Sequence, residues 1–290
     1  MSKARIAVQA STIKNKFKEL GPYEALKKMA EVGYHCIELS QVDMSPESIK
    51  EIKRAMADFD IEVCAITGGP TSRTTEPNLV KDYDTFVWQC KELNCKYIRI
   101  GAMPMPEMET VEKLAAYCAL CEETCAKLAK EGIKLYYHNH NTEYQKKNGK
   151  TVFEIIKDSA PSLGCELDVH WAQRGGMNPV KAIKMCDGIL DLLHLKDYRI
   201  KEVTPAMFEG KDMTDPATVM AVNREYGANR IEFAEIGQGN LDWPEIIEAG
   251  LAAGAKYLIV EQDLTYGRDE YESLAISAEY LKSIGYGDCF

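Results

Sequence analysis

Short apolar runs alternate with longer segments of helical period along the whole chain. The runs fall at Arg5–Gln9, Cys36–Leu39, Glu62–Ile66, Tyr97–Ile100, Lys134–His138, Leu163–Asp168, Leu190–Leu195 and Tyr257–Glu261. Each is brief and nearly continuous in its apolar character, as strands covered on both faces are. Between them, Gly21-Pro22, Ser45-Pro46, Asn178-Pro179 and Asp242-Trp243-Pro244 put proline near a first helical turn, and Gly33, Gly132 and Gly254 close helices. The fragments EVGYHCIEL, KEGIKLYYH and AAGAKYLIVE repeat one phrase of helix, glycine and strand. The rhythm predicts βα units, and eight strands predict an α/β fold of the (β/α)8 TIM-barrel type, with residues 1–290 as a single domain. A doubly wound sheet would share the rhythm. Strand count is the argument against it, and no G-x-G-x-x-G follows the first strand.

The rhythm lapses between Lys196 and Asn240. A stretch this long without an apolar period is expected to be functional or disordered. Residues 196–240, with Pro205, Pro216 and the turn Gly237-Gln238-Gly239-Asn240, suit a long loop over the mouth of the barrel. The plainer reading is a surface insertion with a small strand at Arg230–Ala234.

Composition narrows the function. Apolar residues make up 46 % of the 290-residue chain, enough for a large core. A formal charge of −10 disfavours nucleic acid and anionic membranes, which are gripped by clustered Lys and Arg, so the expected partner is a small molecule. The opening MSKARIAVQAST lacks the apolar core of a secretory signal, and no run approaches a bilayer span, so a cytoplasmic location is expected. Ten scattered cysteines then read as small core hydrophobes. Cys118, Cys121 and Cys125 share one helical face, which favours packing over an iron–sulfur cluster. Neither G-x-S-x-G nor a P-loop is present.

In barrels of this kind chemistry sits where strands end at their C-terminal side. The fifth strand ends in YYHNHNTEY with His138, His140 and Glu143, the sixth in CELDVHW with Asp168, the seventh in LLHLKD with His194, and the eighth in YLIVEQD with Glu261. Positions i and i+2 share a strand face, so His138 and His140 both look into the mouth if Asn139 looks out. Imidazoles and carboxylates from neighbouring strand ends can meet around one ion, and a mixed set suits a borderline metal; manganese is the expected ion, with Zn, Co, Fe or Mg as alternatives. Taken singly, each has a plainer reading: a carboxylate may cap the next helix and a histidine may be a neutral core hydrogen-bonder. Burying Glu261 after Tyr257–Val260 would nevertheless be costly without a cation. His35 reads as structural, and His170 alternates with Asp168 and could reach the mouth.

The phrases YHNHNTEY, LDVHWAQRGGMNPV, LLHLKD and IGQGNLDW, in that order, resemble the sugar-phosphate isomerase/epimerase superfamily with a xylose-isomerase-like barrel, and within it the inosose-dehydratase-like branch. The resemblance implies one divalent metal held at the ends of strands five to eight, with Asp168, His194 and Glu261 in three ligand positions. The fourth position, usually a Glu, holds His138. His140 falls where some relatives carry a catalytic base, Glu143 and Trp171 fall where relatives contact the sugar, and Lys196 is a further mouth residue. Whether His138 or His140 ligates the metal is open at this point. The candidate catalytic set is therefore His140, Glu261 and Glu143, the substrate-binding set Trp171, Lys196 and His170, and the metal set His138, Asp168, His194 and Glu261.

Losing one glutamate removes half of the two-sided device by which family epimerases take and return a proton. A histidine base beside a metal-polarised carbonyl still supports proton abstraction. The expected activity is isomerase or epimerase chemistry on a sugar, keto-sugar or cyclitol, with elimination from a keto-sugar or keto-glycoside as the alternative. A non-catalytic sugar-binding barrel or accessory subunit, a metal-dependent endonuclease and a cluster-bearing redox protein are rivals, and the last two fit poorly with the charge and the cysteine spacing. Arg99, Arg174, Lys196 and Arg199 near strand ends do not decide whether the substrate is phosphorylated. Association into a homo-oligomer is compatible with the family.

Overall fold

The computed structural model describes residues 4–71 and 77–290; Met1 to Lys3, at the head of the segment read for a secretory signal, lie outside them. Eight parallel strands close into a barrel: β1 (Arg5–Gln9), β2 (Cys36–Leu39), β3 (Glu62–Thr67), β4 (Tyr97–Ile100), β5 (Lys134–His138), β6 (Gly164–Asp168), β7 (Leu190–Leu195) and β8 (Tyr257–Val260). Neighbours around the ring follow chain order, and β8 closes on β1 with Arg5 opposite Tyr257. The observed strands match the expected ones to within one residue at each end, and the fold is the TIM barrel.

Helices cover the outside, and their starts follow local chemistry. Ser45 and Asn178 cap the helices Pro46–Phe59 and Pro179–Met185, each accepting a backbone N–H three residues on, with proline in the first turn. The helix Val111–Ala129 buries Cys118, Cys121 and Cys125 on the face that also carries Leu114 and Leu128. Burial pushes the Cys118 thiol up to about 11 and Cys125 up to about 12, away from the thiolate that a cluster requires.

Alternation along the strands creates two cores. The outward side chains, Ile6, Val8, Leu193, Leu258 and their like, pack under the helices. The inward ones stack in layers along the lumen. Ala7, Cys36, Cys64, Tyr136, Leu192 and Ile259 form its apolar middle. Gly164 makes that layer possible, because a Cβ there would sit 2.3 Å from the Tyr136 ring. Above this floor lie the buried polar side chains Gln9, Glu38, Arg99, His138, Glu166, His194 and Glu261.

The segment after β7 is not one loop. Strands Asp197–Ile200 and Ile231–Ala234 pair antiparallel, and between them lie a short turn of helix at Pro205–Met207 and the helix Pro216–Asn229. That last helix buries only Val222. Asp197 anchors the hairpin: its carboxylate accepts from Trp243 Nε1 at 2.7 Å and from the backbone of Gly237, Gly239 and Leu241.

Candidate metal centre

The register brings four strand ends to one height. His194 on β7 lies opposite Asp168 on β6 and Ile259 on β8, and His138 on β5 lies opposite Glu166 on β6. Period-two alternation then aims His138, Asp168, His194 and Glu261 inward, and one ligand atom from each falls within 4.8 Å of all the others. All four are buried. His140 is not in this group. It stands beside it, half-buried, its ring 4.9 Å from that of His138 and 5.4 Å from that of Trp171.

The residue between the two histidines does more than look away. Asn139 is buried, and its side chain accepts from Asp168 N at 2.8 Å and donates to Asp168 O at 3.1 Å, so it locks β5 to the end of β6. Asp168 in turn caps the helix Val169–Arg174, its Oδ1 accepting from Trp171 N at 3.0 Å. Its other oxygen, Oδ2, is buried without a hydrogen-bond partner and faces His138 Nε2 at 3.9 Å and Lys196 Nζ at 3.8 Å. Burial pushes Asp168 up to about 7, with Lys196 pulling the other way.

Glu261 has both oxygens engaged. Oε1 accepts from Gln9 Nε2 at 3.3 Å and Ser11 Oγ at 3.2 Å, while Oε2 is 2.9 Å from His194 Nδ1 and 3.0 Å from Lys196 Nζ. Burial works against its charge, but Lys196 and His194 outweigh it and hold the carboxyl well below its usual range. Burial likewise opposes charge on His194, and the carboxylates Glu166 and Glu38 outweigh it, so this imidazole is held well above its usual value. His138 goes the other way: burial, helped by His194 and Arg99, keeps it neutral. Lys196 is fully enclosed between Glu261, Asp263 at 2.9 Å and Asp168, and against burial these carboxylates hold it charged.

Beneath the four lies a charged layer that sequence reasoning missed: Glu38 on β2, Arg99 on β4 and Glu166 on β6, all buried. Glu38 and Arg99 are each the lone charge of an apolar strand, and Glu166 sits two residues before Asp168 on β6. Period-two alternation from Asp168 was therefore the available signal. Arg99, considered near a strand end as a phosphate contact, is instead committed inside the barrel, with Nε 2.9 Å from Glu38 Oε1 and Nη2 donating to Ser40 Oγ at 3.0 Å.

The remaining candidates divide. Trp171 and Lys196 face each other at the mouth, the ammonium 5.2 Å from the indole centre. His170 is buried away from the four, stacked on Phe233 of the hairpin at 5.2 Å and set edge-on against Tyr198 and Trp171. Burial drives its pKa down to about 3, so it is a neutral wall residue. Glu143 is spent locally: its carboxylate accepts from Tyr137 Oη at 2.8 Å, from His140 N at 2.9 Å and from Thr142 Oγ1 at 2.9 Å. Its position fixes the backbone turn that carries His140.

The group's chemistry fits a divalent cation. Two imidazoles and two carboxylates converge, and Asp168 Oδ2 lacks a hydrogen-bond partner. Glu38, Glu166, Asp168, Glu261 and Asp263 crowd five acidic groups around the two permanent cations Arg99 and Lys196, an imbalance of the kind a divalent ion offsets. Beside the cluster, a cavity of about 270 Å³ lies between Ser11, Lys14, Asn15, Asp263 and Thr265 at the rim of β1 and β8. Ser11 and Asp263 link it to the cluster through their bonds to Glu261 and Lys196.

Comparison with known proteins agrees with this architecture. No curated protein matches the chain. A sugar phosphate isomerase/epimerase from Parabacteroides distasonis superposes with a TM-score of 0.72 at 19 % identity, over 99 % of this chain and 96 % of that one. A probable 3-DHS dehydratase, AsbF, from Bacillus anthracis gives 0.66 at 12 % identity, over 96 % and 98 %. The 3-keto-D-glucoside 4-epimerase YcjR from E. coli gives 0.65 at 16 % identity, over 97 % and 100 %. At such identities the likeness is one of fold, and it does not single out the inosose-dehydratase-like branch. The family profile reaches further, matching residues 26–284, and by that match the chain belongs to the xylose isomerase-like TIM barrel family.

Proposed function

We propose that the protein is a divalent-metal-dependent enzyme that abstracts a proton next to the carbonyl of a sugar, keto-sugar or cyclitol. The observation that carries this reading is the convergence of one ligand atom each from His138, Asp168, His194 and Glu261 within 4.8 Å of one another. Those four residues would hold the ion. Manganese suits the mixed donor set best, with Zn, Co, Fe or Mg as alternatives. When bound, the ion supplies the Lewis acidity that makes the neighbouring C–H acidic.

The chain supplies the rest. His140, its ring beside those of His138 and Trp171 at the mouth, is the base, because its imidazole stands next to the ligand set without belonging to it. Lys196, held charged by Glu261 and Asp263, acts as a hydrogen-bond donor to a developing oxyanion rather than as a base. Trp171 and the hairpin's Phe233 wall the mouth and exclude water, with His170 packed behind them. Glu143 holds the turn under His140, and the segment 196–240 covers one side of the site.

The neighbours' names divide between epimerases and a dehydratase, and His138 in place of the second glutamate favours one-sided proton chemistry. Reprotonation at the adjacent carbon gives isomerisation; loss of a β-substituent gives elimination. The test is incubation of the manganese-loaded protein with a panel of keto-sugars in D2O, read by NMR. Deuterium uptake next to the carbonyl, abolished by a chelator, is expected, and loss of water instead of retention separates the lyase outcome. A protein that exchanges no substrate with any metal is a sugar-binding barrel, and the reading fails.

A further inference from the structure

The charged layer under the cluster has no part in the proposed reaction, yet its geometry is specific. Glu166 Oε2 lies 3.1 Å from His138 Nδ1 and 3.5 Å from His194 Nε2, and Glu38 Oε2 lies 3.3 Å from His194 Nε2. The opposite nitrogens of both rings face the cluster: His138 Nε2 looks to Asp168, and His194 Nδ1 to Glu261. Glu38 hydrogen-bonds His194 from below, whereas Glu166 lies against His138 Nδ1 without hydrogen-bond alignment, both groups being buried with no other partner for these atoms.

Glu38, Glu166 and His194 also bring one ligand atom each within 4.8 Å of the others, which raises the possibility of a second ion. The position is already taken. The Arg99 guanidinium lies 2.9 Å from Glu38 and 3.5 Å from Glu166, so this layer carries its own cation.

We propose that Glu166 and Glu38 are positioning residues of the metal centre, each placed to anchor the far ring nitrogen of a histidine ligand once the ion fixes the opposite nitrogen, with Arg99 as the built-in counter-ion that fixes the pair. A carboxylate accepting a ring N–H sets the tautomer, so that the opposite nitrogen presents its lone pair, and makes that nitrogen a better donor. Strand geometry provides the arrangement: Glu166 and Asp168 occupy the same face of β6, one layer apart, so one strand delivers a ligand and the support for its neighbour's ligand. This inference rests on the metal-centre reading above.

The test uses the full-length protein loaded with Co(II), measured by chelator competition and visible absorption, alongside Glu166→Gln and Glu38→Gln. Each variant is expected to bind Co(II) about 10–100-fold more weakly, with shifted absorption bands and unchanged far-ultraviolet circular dichroism. In the zinc-loaded wild type, two slowly exchanging imidazole N–H resonances are expected, a readout that does not depend on either variant folding. Wild-type affinity and spectrum in both variants, or absence of those resonances, overturns the inference while leaving the metal centre standing. A wild type that takes up no divalent ion overturns both together.

Discussion

The two ends of this barrel carry the same kinds of residue in opposite states. At the N-terminal rim Asp191 is bonded to Lys134 at 3.0 Å, to Lys256 at 2.9 Å and to the Tyr136 hydroxyl, and Glu62 joins Arg5 at 2.6 Å and Tyr257 Oη at 2.5 Å. Half-burial opposes charge on Asp191, but its bonds outweigh that and hold the carboxyl below its usual range. At the C-terminal mouth Asp168 is pushed up to about 7 and keeps one buried oxygen without a hydrogen-bond partner. The rim is electrostatically complete in itself. The mouth is not, and what it lacks is positive charge. The difference separates polar residues that hold the barrel together from polar residues that wait for something else.

The sharpest way to break the comparison is at Asp168. Asp168→Asn keeps a capping oxygen for Trp171 N but removes a negative donor, and metal retention is expected to fall below detection in elemental analysis while the barrel stays folded. Full metal occupancy in that variant would refute the ligand assignment.

Lys196→Met comes next. With the oxyanion donor gone, turnover is expected to drop by about 10²–10³-fold, and metal content is expected to hold or rise because a charge competing for Asp168 and Glu261 has been removed. Steady-state kinetics and metal content on one preparation check both halves.

The pH dependence should differ between the ends. Metal uptake requires Asp168 deprotonated, so affinity is expected to decline as pH falls through about 7, approaching tenfold per unit below it; titration calorimetry across pH 5–8 measures the slope. At the rim the direction is the same but the window lies lower: Asp191 has a depressed pKa, so its stabilisation is fully present above the unfolded value near 4 and is lost only as pH falls below that. The smallest effect expected is therefore at the rim. Asp191→Ala should cost about 1–3 kcal/mol in urea unfolding, by leaving Lys134, Lys256 and Tyr136 without their partner, and should leave metal affinity unchanged.

Much of this architecture was legible before any coordinates. Apolar runs marked the barrel strands because a strand covered on both faces has little choice of composition, and Ser45, Asn178 and Asp242 marked helix starts because caps are local chemistry. The same logic should have found the helix Pro216–Asn229, since Asp215-Pro216 is the same kind of signal; it was hidden because a helix burying only Val222 shows almost no apolar period. Strand ends gave the four converging residues. Choosing His138 over His140 needed the register, because both lie on one face and only depth tells them apart. Glu38 and Glu166 went unread for a related reason: a charge inside an apolar strand carries no sequence mark of the partner that makes it tolerable, and Arg99 arrives from a strand far away in the chain. Glu143 illustrates the converse, a carboxylate next to the site whose bonds all serve the backbone turn.

The central claim is that the mouth of the barrel is completed by a cation. Anomalous scattering from crystals of the manganese-loaded protein tests it most directly. One ion bound by His138, Asp168, His194 and Glu261, with Lys196 drawn away from Asp168, is the predicted map. A map with no ion there, and Lys196 still bridging Asp168 and Glu261 at saturating manganese, would contradict the account.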